Sequence, residues 1–458
     1  MKKLVLFLLL LLPFAGWAQA FEGSWTGRLS MGNISLRIIF HISKSGDAYT
    51  ATMDSPDQGA VGVPVAQTAV TEGVLRMEIP AIHFVYEGRM TADDEINGHF
   101  TQMGNKLELN LVRAKEPVLK RPQTPVAPFP YDEREITFAS REAGVELHGT
   151  LTLPREKAPV ALVVLVTGSG TQNRDEELFG HKPFAVIADY LTRHDIGVLR
   201  YDDRMFGADA QSVEPTTENF AEDALGAVDY LAAMPEYRKT RIGILGHSEG
   251  GTIAFMSAAR SKRVSFIISL AGSMLRGDRV LMEQNRFALL QKELPRTTAG
   301  QAVNVLERIF TIARTHSLDD LRAHAEDFKA QIEHCPEMEP LPQSLRKPLL
   351  KTFDAVASSA WLHHFVGFDP ERDIRKSARC AILALNGDRD VQVDADEHLG
   401  RLRKLLPHSR KLTTKHYPDL NHLFQPCELG LVSEYATIET TISPEVLHDI
   451  AAWISALK

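Results

Sequence analysis

The chain holds only three cysteines in 458 residues, too few for a disulfide framework to stand in for a hydrophobic core. Cys380 leads into an apolar run and reads as a small buried hydrophobe. Cys335 and Cys427 lie in polar, proline-containing loops and are the pair available for a bridge, provided the fold brings them together. No C-x-x-C or H-E-x-x-H spacing occurs, so no motif implies a metal or a cofactor. An excess of basic residues is also lacking. Lys and Arg total 51 against 59 Asp and Glu, a formal charge of -8. That balance argues against nucleic acid or an anionic membrane as partner, because nothing is left over to neutralise phosphates. After the first 20 residues there is no apolar run long enough to span a bilayer.

The start of the chain has the three parts of a secretory signal. Lys2 and Lys3 are basic, Leu4 to Leu12 are leucine-rich, and Ala18-Gln19-Ala20 forms a small-x-small cleavage site. Residues 1–20 are therefore expected to be removed from an exported protein, periplasmic or secreted, whose mature form begins near Phe21. No cysteine at that site offers a lipid anchor.

The whole chain has an ordinary globular composition, 44% hydrophobic and 24% charged, and a length that calls for two domains. Residues 21–113 alternate with period two. Leu36, Ile38, Phe40 and Ile42 share one face against Arg37, His41 and Ser43, and similar patterns recur between turn signals at Thr71-Glu72-Gly73 and Asp93-Asp94-Glu95. This predicts an antiparallel module of about eight strands, a barrel or a sandwich, with a stabilising or docking role, the alternative being carbohydrate or lipid binding. Residues 114–131 contain Pro117, Pro122, Pro125, Pro128 and Pro130, a composition that favours a semi-rigid extended linker. From residue 132 to 458, continuous apolar strands such as Ala161 to Val166 alternate with helical stretches. That pattern predicts an α/β domain with a mostly parallel, three-layer sheet. Residues 273–378 are helical and charged, where a cap over a site would be inserted.

Gly246-His247-Ser248-Glu249-Gly250 ends the apolar run Ile242 to Leu245 and leads into a small-residue helix. A G-x-S-x-G turn between strand and helix is the pattern of a nucleophile elbow, in which flanking glycines expose the serine. A serine needs a base and a carboxylate to orient that base. His422 follows the last predicted strand, Lys411 to Tyr417, and is the histidine with the right order and an apolar shelf, Leu423-Phe424, behind it. His408 and His416 read as solvated surface. Asp388 and Asp390 both follow the strand Ala381 to Leu385, and their positions alone leave the acid open between them. The main-chain N–H after the nucleophile, on Glu249, is the expected half of an oxyanion hole.

These motifs resemble the α/β-hydrolase superfamily, over about Glu135 to Lys458. The resemblance selects Asp390, because a glycine three residues before the acid (here Gly387) marks that turn. It also points to the N–H of Ser169, in Thr167-Gly168-Ser169-Gly170, as the second oxyanion donor. Arg200-Tyr201-Asp202-Asp203-Arg204 is similar to a supporting turn of the superfamily, with Met205 where glycine is usual. Together the motifs look like exported bacterial esterases near the serine aminopeptidase branch, and residues 21–113, with Ser55-Pro56-Asp57-Gln58-Gly59, look like a β module that accompanies some of them. The resemblance implies a small ester as substrate. A peptidase with the same triad is the alternative, and would need a cap carboxylate such as Glu293, Asp319 or Glu337 to grip an ammonium. A non-catalytic binding protein is disfavoured by retention of all three triad positions.

Overall fold

The chain divides into two units between Lys120 and Arg121. The computed structural model describes residues 21–31, 34–45, 48–55, 60–82, 84–102, 105–114, 121–206, 214–291 and 294–457. The expected signal segment 1–20, Pro117, Glu293 and the Pro56-Asp57-Gln58-Gly59 turn lie outside the described residues.

The first unit is an all-antiparallel sheet. Its strands run from Gly23–Met31 to Leu111–Arg113, and these two pair with each other, so the ends of the unit are joined. Trp25, Phe40, Leu75, Met77 and Tyr86 are fully buried at its core, the inward half of the period-two pattern. Among the described residues ten strands form where about eight were expected. One reason lies at Leu107 to Leu111, which alternates like one strand. The Asn110 side chain accepts from the Gly98 N–H and splits it in two. The Glu72-Gly73 turn has φ of 50° and 74°, the left-handed pair that a two-residue hairpin requires.

The second unit is built on an eight-stranded sheet: β1 Tyr131–Ala139, β2 Glu146–Pro154, β3 Ala161–Val166, β4 Ile196–Tyr201, β5 Arg241–His247, β6 Val264–Leu270, β7 Ala381–Gly387 and β8 Leu412–Tyr417. Their order across the sheet is β1-β2-β4-β3-β5-β6-β7-β8. β2 is antiparallel to both neighbours, and every later pair is parallel. Helices α1 Pro183–Arg193, α2 Thr217–Ala233 and α3 Glu249–Arg260 follow β3, β4 and β5. Two cores flank the sheet. Leu162, Val164 and Val166 of β3 pack with α2 and α3, whereas Ala161, Val163 and Leu165 pack with α1. Burial on both faces explains why the strand is apolar throughout.

Between β6 and β7 the chain inserts α4 Gly277–Leu290, α5 Arg296–Thr315, α6 Leu318–Ala323, α7 Ala325–Glu333, α8 Gln343–Ser358, α9 Ala360–Gly367 and α10 Glu371–Lys376. α11 Ala395–Leu405, α12 Val432–Tyr435 and α13 Pro444–Ala456 complete the unit. The insertion has a hydrophobic core of its own around Leu306, Phe310, Ile332 and Phe353. Cys335 belongs to that core, while Cys427 sits on the loop after β8. Both are free thiols, so the bridge considered from sequence does not form. The loop reading of Cys335 missed a three-residue spacing: Ile332, Cys335, Met338 and Leu341 are all buried. Among the described residues no helix is long and apolar enough to cross a membrane.

The connection is shorter than the proline run implied. Arg121 donates to the carbonyls of Phe179, Ala436 and Ile438 at 2.8–2.9 Å. Gln123 exchanges hydrogen bonds with the main chain of Thr441 and Ile442. Residues 121–130 are therefore fastened to the second unit. A chain beginning at Arg121 is expected to fold cooperatively, whereas one beginning at Pro130 loses these ties at a cost of about 1 kcal/mol per hydrogen bond. Thermal melts of both chains check this, and equal stability of the two would refute it.

Candidate active site

Ser248 sits at the junction of β5 and α3 with φ of 52° and ψ of -118°, a conformation uncommon for any residue but glycine. The surroundings impose it. The Ser248 N–H donates to the Leu270 carbonyl at 2.8 Å, and its carbonyl accepts from Gly251 N–H at 3.0 Å. A Cβ on Gly246 would collide with the Gly250 carbonyl, and one on Gly250 with the carbonyls of Val166 and Thr167. Both glycines of the pentapeptide are thus required by close approach. The serine is half-buried.

His422 and Asp390 come together at the ends of β8 and β7. His422 Nδ1 lies 2.7 Å from Asp390 Oδ2, and both side chains are buried. The other carboxylate oxygen accepts from the N–H groups of Gln392 and Val393 at 2.8 and 2.9 Å. The acid is thereby fixed, and with it the ring. Asp388 does not take part. It is exposed and its carboxylate meets His416 Nδ1 at 2.5 Å.

Ser169 lies on the turn after β3, exposed, with Gly170 beside it at φ of 90°. The preceding Gly168 N–H is already engaged by Glu176 Oε1 at 2.8 Å. Among the described residues neither the Ser169 N–H nor the Glu249 N–H has a protein acceptor. The turn is anchored by the end of β4. Thr167 and the Gln172 N–H bond the Asp203 carboxyl, whose pKa is pushed up to about 8 by burial. Arg174 pairs with Asp202, and Arg204 with Asp223 and Glu142. Met205, standing where glycine is usual, takes φ of 66°, the left-handed conformation that favours glycine.

Residues 218–331 match a family model described as BAAT / Acyl-CoA thioester hydrolase C terminal. Esterase EstD of Thermotoga maritima is 32% identical over 188 residues, 40% of this chain and 42% of that protein. The chain spans less than half the length of the curated relatives it matches. Among solved structures, 2,6-dihydroxy-pseudo-oxynicotine hydrolase is 16% identical with a TM-score of 0.41, covering 72% of this chain and 69% of its own. The esterase domain of a Rhodothermus marinus protein is 15% identical with a TM-score of 0.37, covering 71% and 98%. The family match includes the elbow, and the elbow stands on an eight-stranded sheet with a single reversed internal strand. The second unit has the α/β-hydrolase fold.

In this unit, Ser169, Ser248 and His422 line one cavity of about 270 Å³. Leu178, Leu281, Trp361, Phe365 and Leu423 make its apolar wall; Gln172, Gln284, Gln392 and Tyr435 are polar. Trp361 and Phe365, on α9, stack with ring centroids 5.4 Å apart. The Trp361 indole N–H donates to the Glu249 carboxyl at 3.0 Å, as does the Thr217 hydroxyl at 2.5 Å. Burial raises the pKa of that carboxyl, outweighing its hydrogen bonds to Thr217, Trp361 and Ser169. Asp319 and Glu337, considered as cap acids, are not in the wall, and Glu337 faces Arg308 at 3.2 Å.

Sequence reasoning passed over Glu176, Trp361, Phe365 and Tyr435. No spacing marks them. The signal available was His247, a polar residue inside an otherwise apolar, buried elbow, which required a buried partner somewhere.

Proposed function

We propose that this hydrolase cleaves carboxylic esters of small, uncharged acyl groups through an acyl-enzyme on Ser248. The observation that carries this is the 2.7 Å His422–Asp390 bond, with His422 lining the same cavity as the elbow serine. Asp390 holds Nδ1 protonated and leaves Nε2 to take the Ser248 proton as Oγ attacks the acyl carbon. The N–H groups of Ser169 and Glu249 receive the charge that develops on the carbonyl oxygen. His422 then returns its proton to the departing alcohol, and water completes the second half by the same route.

The cavity wall favours neutral substrates. Among its described residues there is no lysine or arginine to meet the phosphates of an acyl-CoA. The carboxylate in the wall, Glu176, already faces His247 at 2.9 Å. A free N-terminal ammonium would therefore enter without a counter-charge, at a cost of several kcal/mol. On p-nitrophenyl esters, aminoacyl p-nitroanilides and acetyl-CoA, kcat/KM should favour the esters by about 100-fold or more, the equivalent of nearly 3 kcal/mol. Comparable turnover of the anilides would restore the peptidase reading and remove this one.

A further inference from the structure

Glu176 and His247 form a buried ion pair with no part in the proton transfers above. Glu176 Oε1 receives two donors, the Gly168 N–H at 2.8 Å and His247 Nδ1 at 2.9 Å. The other ring nitrogen, His247 Nε2, lies 3.0 Å from the main-chain carbonyl of His422. With Glu176 as a carboxylate, both partners of the ring are acceptors, so both nitrogens of His247 carry protons and the ring is an imidazolium. We propose that this pair positions the site, with Glu176 holding the oxyanion turn and His247 holding the loop of the general base, both relative to Ser248. The proposal rests on the serine-hydrolase reading.

Three connections converge here. The Gly168 amide next to Ser169 is tied to Glu176, the ring beside Ser248 in the chain is tied to the same carboxylate, and the residue bearing the base is tied to that ring. The rings of His247 and His422 are 4.8 Å apart. Little slack exists: a Cβ on Gly168 would fall 3.3 Å from Ser248 Cβ and 3.4 Å from Glu176 Oε1. Glu176 itself takes φ of 51°, an unfavourable conformation that persists only where surroundings over-determine it. Stability alone does not account for such a pair, since buried ions are often replaced by apolar groups at no loss. The groups bearing on the His247 charge are Glu176 from the oxyanion loop, Asp390 after β7 and His422 after β8. Burial alone would lower the His247 pKa, but the Glu176 carboxylate and the accepting partners outweigh it and raise it.

The test uses the full-length protein, with active sites counted by fluorophosphonate labelling of Ser248. Glu176→Gln and His247→Asn are each expected to lower kcat per labelled site by about 10- to 100-fold, as misplacement of reacting groups does. KM should stay within about threefold, and the double variant should be little worse than either single one, as members of one network behave. Wild-type kcat per labelled site overturns the proposal, even if the melting temperature falls. If neither variant folds, histidine ring ¹⁵N spectra of the wild type decide. One ring should keep both N–H protons at pH 8, and no such ring overturns the proposal. Failure of the wild type to label at Ser248 would instead remove the underlying hydrolase reading.

Discussion

Ser248→Ala is expected to lower kcat by about 10³-fold or more while leaving the fold intact. The hydroxyl is half-buried at the cavity and contributes little to packing. The elbow is held by its main chain, through Leu270 and Gly251, and alanine keeps both bonds. Alanine meets the same backbone strain at φ of 52° as serine does. What disappears is the atom proposed to form the covalent bond. The residual rate should reflect the oxyanion donors and binding alone. Initial rates on p-nitrophenyl acetate, with matched circular dichroism, measure it, and near-wild-type turnover by a folded variant would sink the mechanism.

Asp390→Asn is expected to cost about 10³- to 10⁴-fold in kcat, with Asp388→Asn changing it by no more than about threefold. The two carboxylates lie two positions apart in sequence but face different histidines. Asp390 Oδ2 takes the Nδ1 proton of buried His422, and Oδ1 takes two main-chain N–H groups. An amide there turns a donor toward the ring and stabilises the wrong tautomer. Asp388 meets only His416 on the surface, where solvent screens the pair. A larger loss at Asp388 would reverse the assignment of the acid.

Much of the second unit was legible because its requirements are local. A strand buried on both faces must be apolar throughout, as Ala161 to Val166 is, and an elbow must have small residues where Gly246 and Gly250 meet main chain. The order of serine, acid and histidine follows from where strands end. Position alone left Asp388 and Asp390 equivalent; three-dimensional placement separates them. The Glu176–His247 pair was not legible, since its partners are 71 residues apart and no spacing links them. Arg121 was hidden for the same reason, because its acceptors are main-chain carbonyls more than 300 residues away in two cases. Cys335 was misjudged because polar neighbours masked the inward spacing of Ile332, Met338 and Leu341. The Met205 departure was visible in sequence, and its physical meaning, a left-handed residue with a side chain, came only from the backbone.

The helical insertion leaves the sheet at β6 and returns at β7, and these strands are hydrogen-bonded neighbours. Its entry and exit are therefore a pair of adjacent anchor points, and its interior is filled by its own side chains. Its middle helices, α5 to α8, behave as a cassette filled from within, whereas Ile374 of α10 belongs to a core that flanks the sheet. The indole of Trp361 is one constraint that an exchange of the insertion inherits, because it supplies a donor to the buried Glu249 carboxyl beside Ser248; the Gln284–Gln392 and Glu283–His398 contacts are others. Divergence in what the pocket accepts can thus proceed in the insertion, so long as these polar contacts are replaced in kind.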